Sequence, residues 1–218
     1  MIVLALDTAQ NACSVAVLDG DRVLASATQP MQRGHQERLA PMVDEVMRQA
    51  GLRFDQLERV GVTTGPGSFT GLRVGLAFAK AMSLALDIPC VGLGTLEALA
   101  AGETGFIVCA IDAKREQAYL QIFQDGVSLT APDGLEIGAA AARLRELWSG
   151  GPAKIIGTGA QLLAGVIPQA QIDAKDFPDI VALARLIARK PAPSARPQPL
   201  YLRAPDAKTI AERAAERA

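Results

Sequence analysis

The sequence predicts an α/β protein made of two half-domains, each a mixed β-sheet with helices on its faces. Three observations carry this. The N-terminal half reads as three strands joined by short polar turns, then helix, strand, helix, short strand and helix. A glycine-flanked break at 102–105 ends that half, and a second series of strands, helix and strand follows. Half of the 218 residues are hydrophobic and 21% are charged, which is enough apolar material for a core in each half.

Taken in order, 2–7 and 12–18 are apolar runs flanking a polar turn at 8–11. Asp19-Gly20-Asp21 is a hairpin signal leading to a third strand over 22–28. Residues 35–50 carry Leu39, Met42, Val43, Val46, Met47 and Ala50 at helical spacing, and Gly51 ends that helix. A strand at 59–64 runs into Gly65-Pro66-Gly67-Ser68, where glycine permits backbone angles closed to other residues. Ser68 or Thr70 is placed to cap a helix that continues to about Leu86. A short strand at 89–92 and a helix near 96–101 complete the half. Beyond the break, 106–111 and 119–123 read as strands around a charged turn at 112–117. A helix over 137–148, a strand at 154–156 and the small loop Gly157-Thr158-Gly159-Ala160 follow. The helix at 180–189 is expected to return to the first half. Four prolines within 191–199 mark an extended segment, and 206–218 is a charged tail expected to fray. The expected units are 1–103, 104–178, a returning segment at 179–204 and the tail at 205–218. The two halves read as possible diverged copies of one unit. The element order matches the ribonuclease H-like unit shared by actin, sugar kinases and heat-shock ATPases, a likeness of fold that assigns no function.

Composition narrows the function classes. The formal net charge is −1 and no long basic block appears, so direct electrostatic gripping of nucleic acid is not indicated. Cys13, Cys90 and Cys109 are isolated in apolar surroundings and read as reduced core residues. Met1 leads straight into an apolar strand with no basic region and no cleavage site, so no leader is expected, and no apolar run reads as long enough to span a bilayer. A cytoplasmic location is expected. A single histidine, His35, cannot build a two-histidine metal site. No Ser/His/Asp or Cys/His constellation forms around it, and the glycine loop lacks the Gly-Lys-Ser/Thr ending of a phosphate loop. No catalytic residue and no metal ligand is assigned.

Two constellations remain. Between Leu72 and Leu86 only Arg73, Lys80 and Ser83 interrupt an apolar helix, and Gly71, Gly75, Ala79 and Ser83 form a ridge of small residues. A helix apolar all round must be covered on both sides. The expectation is that this helix and the one at 35–50 pack side by side and present outer faces to a partner subunit. His35, Arg38, Leu39, Met42 and Val46 are the candidates on the first. Leu72, Arg73, Leu76, Ala79, Lys80 and Ser83 are those on the second. The plainer reading, cover by the neighbouring helix alone, stands beside it. The second constellation is a cleft between the halves. Asp7 and Thr8 end the first strand, where this fold class often sets an acid near a phosphate or metal. With Gly65, Gly67, Ser68, Gly157 and Gly159 they would make a nucleotide cleft, and the chain a small kinase or ATPase. A turn-capping role for Asp7 is the alternative.

Leu4-Ala5-Leu6-Asp7-Thr8, His35-Gln36-Glu37-Arg38-Leu39-Ala40-Pro41-Met42, the loop and helix start at 65–75, and Gly94-Thr95-Leu96-Glu97-Ala98-Leu99 stand in an order and spacing that resembles the TsaB (YeaZ-type) family. Ile111-Asp112-Ala113-Lys114-Arg115 and Pro199-Leu200-Tyr201-Leu202-Arg203 extend the resemblance. It implies a non-catalytic relative of TsaD, the catalytic subunit that makes threonylcarbamoyladenosine in tRNA. The TsaD histidine-x-x-x-histidine metal motif, laid over this sequence, falls on Thr95 and Leu99. The resemblance further implies pairing with a TsaD-type subunit through the two helices named above, a TsaE-type ATPase acting through the complex, and self-association when alone. Contact with tRNA would be indirect, and ATP or ADP would act in the complex, with no cofactor of this chain's own.

Overall fold

In the computed structural model, which describes residues 1–203, the chain forms two sheets of the same design. The first has the order β3-β2-β1-β4-β5, built from β1 (Ile2–Asp7), β2 (Ala12–Asp19), β3 (Arg22–Pro30), β4 (Arg59–Thr63) and β5 (Cys90–Leu93). β1, β2 and β3 form an antiparallel meander, and β4 and β5 add in parallel beside β1. The second sheet repeats this with β6 (Phe106–Lys114), β7 (Gln117–Gln124), β8 (Val127–Ser128), β10 (Ala153–Ile156) and β11 (Gln171–Asp173), in the order β8-β7-β6-β10-β11. β9 (Asp133–Glu136) pairs with β7 off this path. The shared strand order is what two copies of one unit would produce.

Strand periodicity sorts the cores. Along β1, Leu4 and Leu6 join Val15, Val17 and the helices α1 (His35–Gln49) and α2 (Phe69–Leu86) on one face. Val3 and Ala5 join Ala16, Leu18 and α5 (Ile180–Arg189) on the other. Alternate residues of one strand therefore feed two cores, which is why β1 is apolar throughout. In the second half, Val108 and Ala110 face α4 (Ile137–Leu147). Ile107, Cys109 and Ile111 face Leu96 and Leu99 of α3 (Thr95–Leu99). Thus α3, which sequence reading placed within the first unit, packs against the second sheet, and α5 packs against the first. Asp179 caps α5 through Val181 N and Ala182 N at 2.8 and 3.0 Å. Arg59 fastens its far end by donating to the carbonyls of Ile187 and Lys190.

Three expectations are corrected. The charged turn at 112–117 is much shorter, because β6 runs to Lys114 and β7 starts at Gln117. Lys114, Arg115 and Glu116 all take positive φ there (64°, 53° and 59°). The short strands β8, β9 and β11 were not read from the sequence. Against the reading that no run is long enough to span a bilayer, the 18 residues of α2 have the length and composition to do so, with a mean hydropathy of 1.3. The tail at 205–218 lies outside the described residues.

Candidate docking face

The orientation of α2 decides what this chain presents to its surroundings. A Cβ on Gly71 would collide with the carbonyl of Thr8, and one on Gly75 would meet Thr8 Oγ1 and Val62. The ridge of small residues therefore faces inward, where the helix backbone must lie close to β1 and β4. Thr8 Oγ1 donates to the Gly71 carbonyl at 2.7 Å and locks this approach. Ser68 caps the helix, accepting from Gly71 N at 3.2 Å.

This corrects the residues expected at a partner surface. Leu72, Leu76, Ala79 and Ser83 of α2, and His35, Leu39, Met42 and Val46 of α1, are all buried inside the protomer, Leu76 at 4% exposure and Ala79 at 0%. Arg38 is held along α1 by a two-pronged pair with Glu45 at 2.9 and 3.0 Å, and it also donates to Gln29. Arg73 is exposed and Lys80 is half-buried. The physical reason is that α2 is apolar on both faces, so its pattern does not say which face meets the sheet. Close approach to a sheet selects the small residues.

The outward face lies half a turn from the ridge. It carries Phe69, Arg73, Ala77, Ala81 and Leu84, all exposed, with Phe69 at 47% and Leu84 at 64%; Val74 and Phe78 are half-buried beside them. Between α1 and α2 this face opens into a groove of about 520 Å³ lined by Gln36, Leu39, Phe69, Arg73, Val74 and Phe78 among others. One end of the groove is an aromatic corner. The Arg73 guanidinium sits 3.7 Å over the Phe69 ring, and its Nε donates to Tyr201 Oη at 3.3 Å. The Tyr201 and Phe69 rings lie 5.5 Å apart. Sequence reasoning missed Phe69, Val74, Ala77, Phe78, Ala81, Leu84 and Tyr201. The signal was present as the apolar stripe opposite the ridge, since Phe69, Ala77 and Ala81 share the four-residue spacing of Gly71, Gly75 and Ala79.

The cleft between the halves is a different environment. Asp7 is wholly buried; its Oδ1 accepts from Thr63 Oγ1 at 2.6 Å and Ala9 N at 3.0 Å, while Oδ2 has no partner. Burial pushes its carboxyl above the usual range, against the lowering effect of those two bonds. Thr8 is tied to α2 as described. The loop donors are largely spent on the chain itself. Ser68 N donates to the Ala9 carbonyl, Gly157 N to Asp173 and Gly159 N to Ala110, at 2.8, 2.9 and 3.0 Å. A Cβ at Gly67 would strike the Ala9 carbonyl, and one at Gly157 the Ala110 carbonyl. Those glycines serve contact between neighbouring loops, and Gly65 (φ 109°) fits beneath the Leu200 carbonyl. The amides of Ser68, Gly157 and Gly159 are therefore not free to join one phosphate cradle. A pocket of about 290 Å³ lined by Gln10, Asn11, Ser68, Asp112, Lys114 and Thr158 lies beside them. Among the described residues, no group of three or more His, Cys, Asp or Glu is arranged to hold a metal.

The family model described as TsaD, tRNA N6-adenosine threonylcarbamoyltransferase, matches residues 23–153, more than half of the chain. An uncharacterized protein of Mycobacterium tuberculosis is 34% identical over 216 residues, which cover 96% of this chain and 95% of that protein. The tRNA threonylcarbamoyladenosine biosynthesis protein TsaB of Haemophilus influenzae is 36% identical over 125 residues, covering 55% of this chain and 52% of the relative. A crystal structure of an uncharacterized Pseudomonas aeruginosa protein with similarity to peptidase YeaZ superposes with a TM-score of 0.78 at 26% identity, covering 93% of this chain and 99% of that one. A ROK hexokinase of Thermus thermophilus, with a TM-score of 0.52 at 13% identity over 86% of this chain and 97% of that one, shares the fold alone. With the paired sheets and the whole-length likeness to YeaZ-type structures, these matches place the chain in the TsaD-related family as a protein of the TsaB/YeaZ type.

Proposed function

We propose that this chain is a non-catalytic subunit of the machinery for tRNA threonylcarbamoyladenosine biosynthesis, and that it pairs with a TsaD-type catalytic subunit through the outward face of α2 and the groove beside α1. Membership of the family supplies the pathway. The observation that carries the pairing is the exposed apolar stripe from Phe69 to Leu84. It lies next to a groove that ends in an arginine and two aromatic side chains, the residue types that anchor protein interfaces. An interface of ordinary size, ~1,600 Å² in total, is within reach of two helices a side.

The non-catalytic reading is supported by the positions that the resemblance aligns with the TsaD histidines. Thr95 and Leu99 stand there, both buried, with Leu99 packed against the second sheet, and neither side chain binds a metal as imidazole does. Seated on the catalytic subunit, this pair of half-domains would orient that subunit's own domains for adenylate and tRNA. Nucleotide and a TsaE-type ATPase would act at the level of the complex, in the cytoplasm. The amides of Ser68, Gly157 and Gly159, already bonded within the chain, speak against the kinase alternative.

Co-purification tests the reading. Wild-type chain is expected to retain a tagged TsaD-type subunit from the same bacterium, and Leu84→Asp to lose it while remaining folded by circular dichroism. Equal retention by both would overturn the assignment of this face.

A further inference from the structure

The first sheet has a long open edge. At its far side β5 has four residues and is crossed by the returning chain, with Pro197 against Gly92 and Leu200 N donating to the Thr64 carbonyl at 2.7 Å. The outer strands of the second sheet, β8, β9 and β11, have two to four residues each. β3 has nine, from Arg22 to Pro30, and among the described residues no strand pairs with its outer side. Register decides which backbone groups that side offers. Met31 N donates to the Asn11 carbonyl at 2.9 Å, and the pairing of β2 with β3 runs unshifted from Ala12–Pro30 to Val17–Ala25. Alternate residues of an antiparallel ladder turn their N–H and C=O to opposite sides. Ala25, Ala27 and Gln29 therefore bond to β2, while Ser26 and Thr28, both exposed, turn theirs outward. From Val23 to Gln29 the strand carries neither charge nor proline, devices by which edge strands refuse a neighbour.

We propose that β3 is the seam of a homodimer, in which two copies pair antiparallel along this edge across a two-fold axis at Ala27 and join their first sheets into one. A second copy is the occupant because the edge complements itself. In this register Ser26 of each copy stands opposite Thr28 of the other. Each such pair exchanges both of its outward backbone hydrogen bonds and sets its hydroxyls side by side. Ala27 meets Ala27, and Ala25 meets Gln29, so no bulky side chain crowds the seam. Pro30, which has a carbonyl but no N–H to offer, falls opposite Leu24, the residue left over where the ladder shifts. The ends match in charge. Asp21, just ahead of β3, and Arg33, just past it, are both exposed, and the two-fold brings Asp21 of each copy to the end of the seam that holds Arg33 of the other.

The seam is made of backbone at the end of a sheet and uses no residue of the α1–α2 groove or of the outward face of α2. It therefore does not rest on the proposed pairing with a TsaD-type subunit, and either can fail without the other. It is also distinct from self-association through the two helices, which would leave the Ser26 and Thr28 amides open to water.

Amide hydrogen exchange followed by NMR on the wild-type chain, dilute and concentrated, reads the seam directly, with sedimentation equilibrium reporting the mass. The amides of Ala25, Ala27 and Gln29 are expected to be protected in both samples. Those of Ser26 and Thr28 should be protected only in the concentrated one, where the chain is dimeric. Ser26→Pro removes an outward donor and none that β2 uses. That chain is expected to keep the protection of Ala27 and Gln29 and to dimerise about tenfold more weakly or worse. Arg33→Asp should weaken the dimer, and adding Asp21→Arg should restore it. A chain that stays monomeric in the concentrated sample would overturn the proposal. So would a dimer whose Ser26 and Thr28 amides exchange as fast as in the dilute sample, since the copies would then meet elsewhere, the face of α2 included. Should Ser26→Pro fail to fold, the wild-type exchange pattern and the charge swap decide between the same outcomes.

Discussion

At the residue scale, two alanines two positions apart separate the inner and outer faces of α2. Ala79 is fully buried and Ala77 is exposed. Ala79→Glu forces a carboxylate into an apolar core with no partner and is expected to prevent folding or leave a molten chain. Ala77→Glu should change stability by no more than about 0.5 kcal/mol. Urea denaturation of the two variants checks both. Gly71→Ala sets two effects of opposite sign against each other. Helix propensity favours alanine by about 1 kcal/mol, but the new methyl meets the rigid Thr8 carbonyl. Overpacking against backbone costs about 1–3 kcal/mol, so net destabilisation is expected. A stabilised variant would mean that the ridge does not touch the end of β1. Asp7 gives a pH prediction. Its carboxyl is raised in the folded state by burial, so the native protein holds the proton more tightly than the unfolded chain. Stability then falls as pH climbs from the ordinary carboxylate range through the raised value, and the loss is complete above it. Asp7→Asn retains an acceptor for Thr63 and Ala9 and removes that penalty. It is expected to unfold at higher urea than wild type at pH 8, with the advantage shrinking toward pH 4.

At the scale of elements, α2 is where sequence reading went furthest and where it failed. The glycine loop, the Ser68 cap and the helix end near Leu86 were legible, because capping and glycine chemistry are local. Ser68→Ala should cost about 1 kcal/mol in thermal or urea denaturation. The facing of the helix was not legible. Gly71, Gly75, Ala79 and Ser83 look like a docking ridge for a foreign helix, yet the surface that Gly71 and Gly75 fit is the Thr8–Val62 patch of the same chain. Only the fold brings residues 8 and 62 to that spot. The strands β1 and β2 were plain for the opposite reason: strands with both faces buried leave long apolar runs, whereas β8, β9 and β11 have two to four residues each and too little side-chain signal to read.

At the scale of the molecule, the halves are joined by exchanged helices. α3 leaves the first sheet to cover the second, and α5 returns from the second to cover the first. Sequence reading expects α5 to return to the first half, and there Leu183, Ala184 and Ile187 pack on Val3 and Ala5. Where it lands follows from Gly61, whose missing side chain leaves room for Ile187. A chain ended before Asp179 would bare the Val3–Ala5 face of the first sheet and is expected to aggregate rather than remain monomeric in size-exclusion chromatography. The proposed docking face depends on this frame, because α1 and α2 are held from behind by a sheet that α5 covers. The direct test of that proposed face is calorimetric titration of a TsaD-type subunit with wild-type chain and with Ala77→Glu. The account predicts binding by wild type and a loss of tenfold or more in the variant, about 1.4 kcal/mol or greater. Equal affinities, with both chains folded, would contradict it.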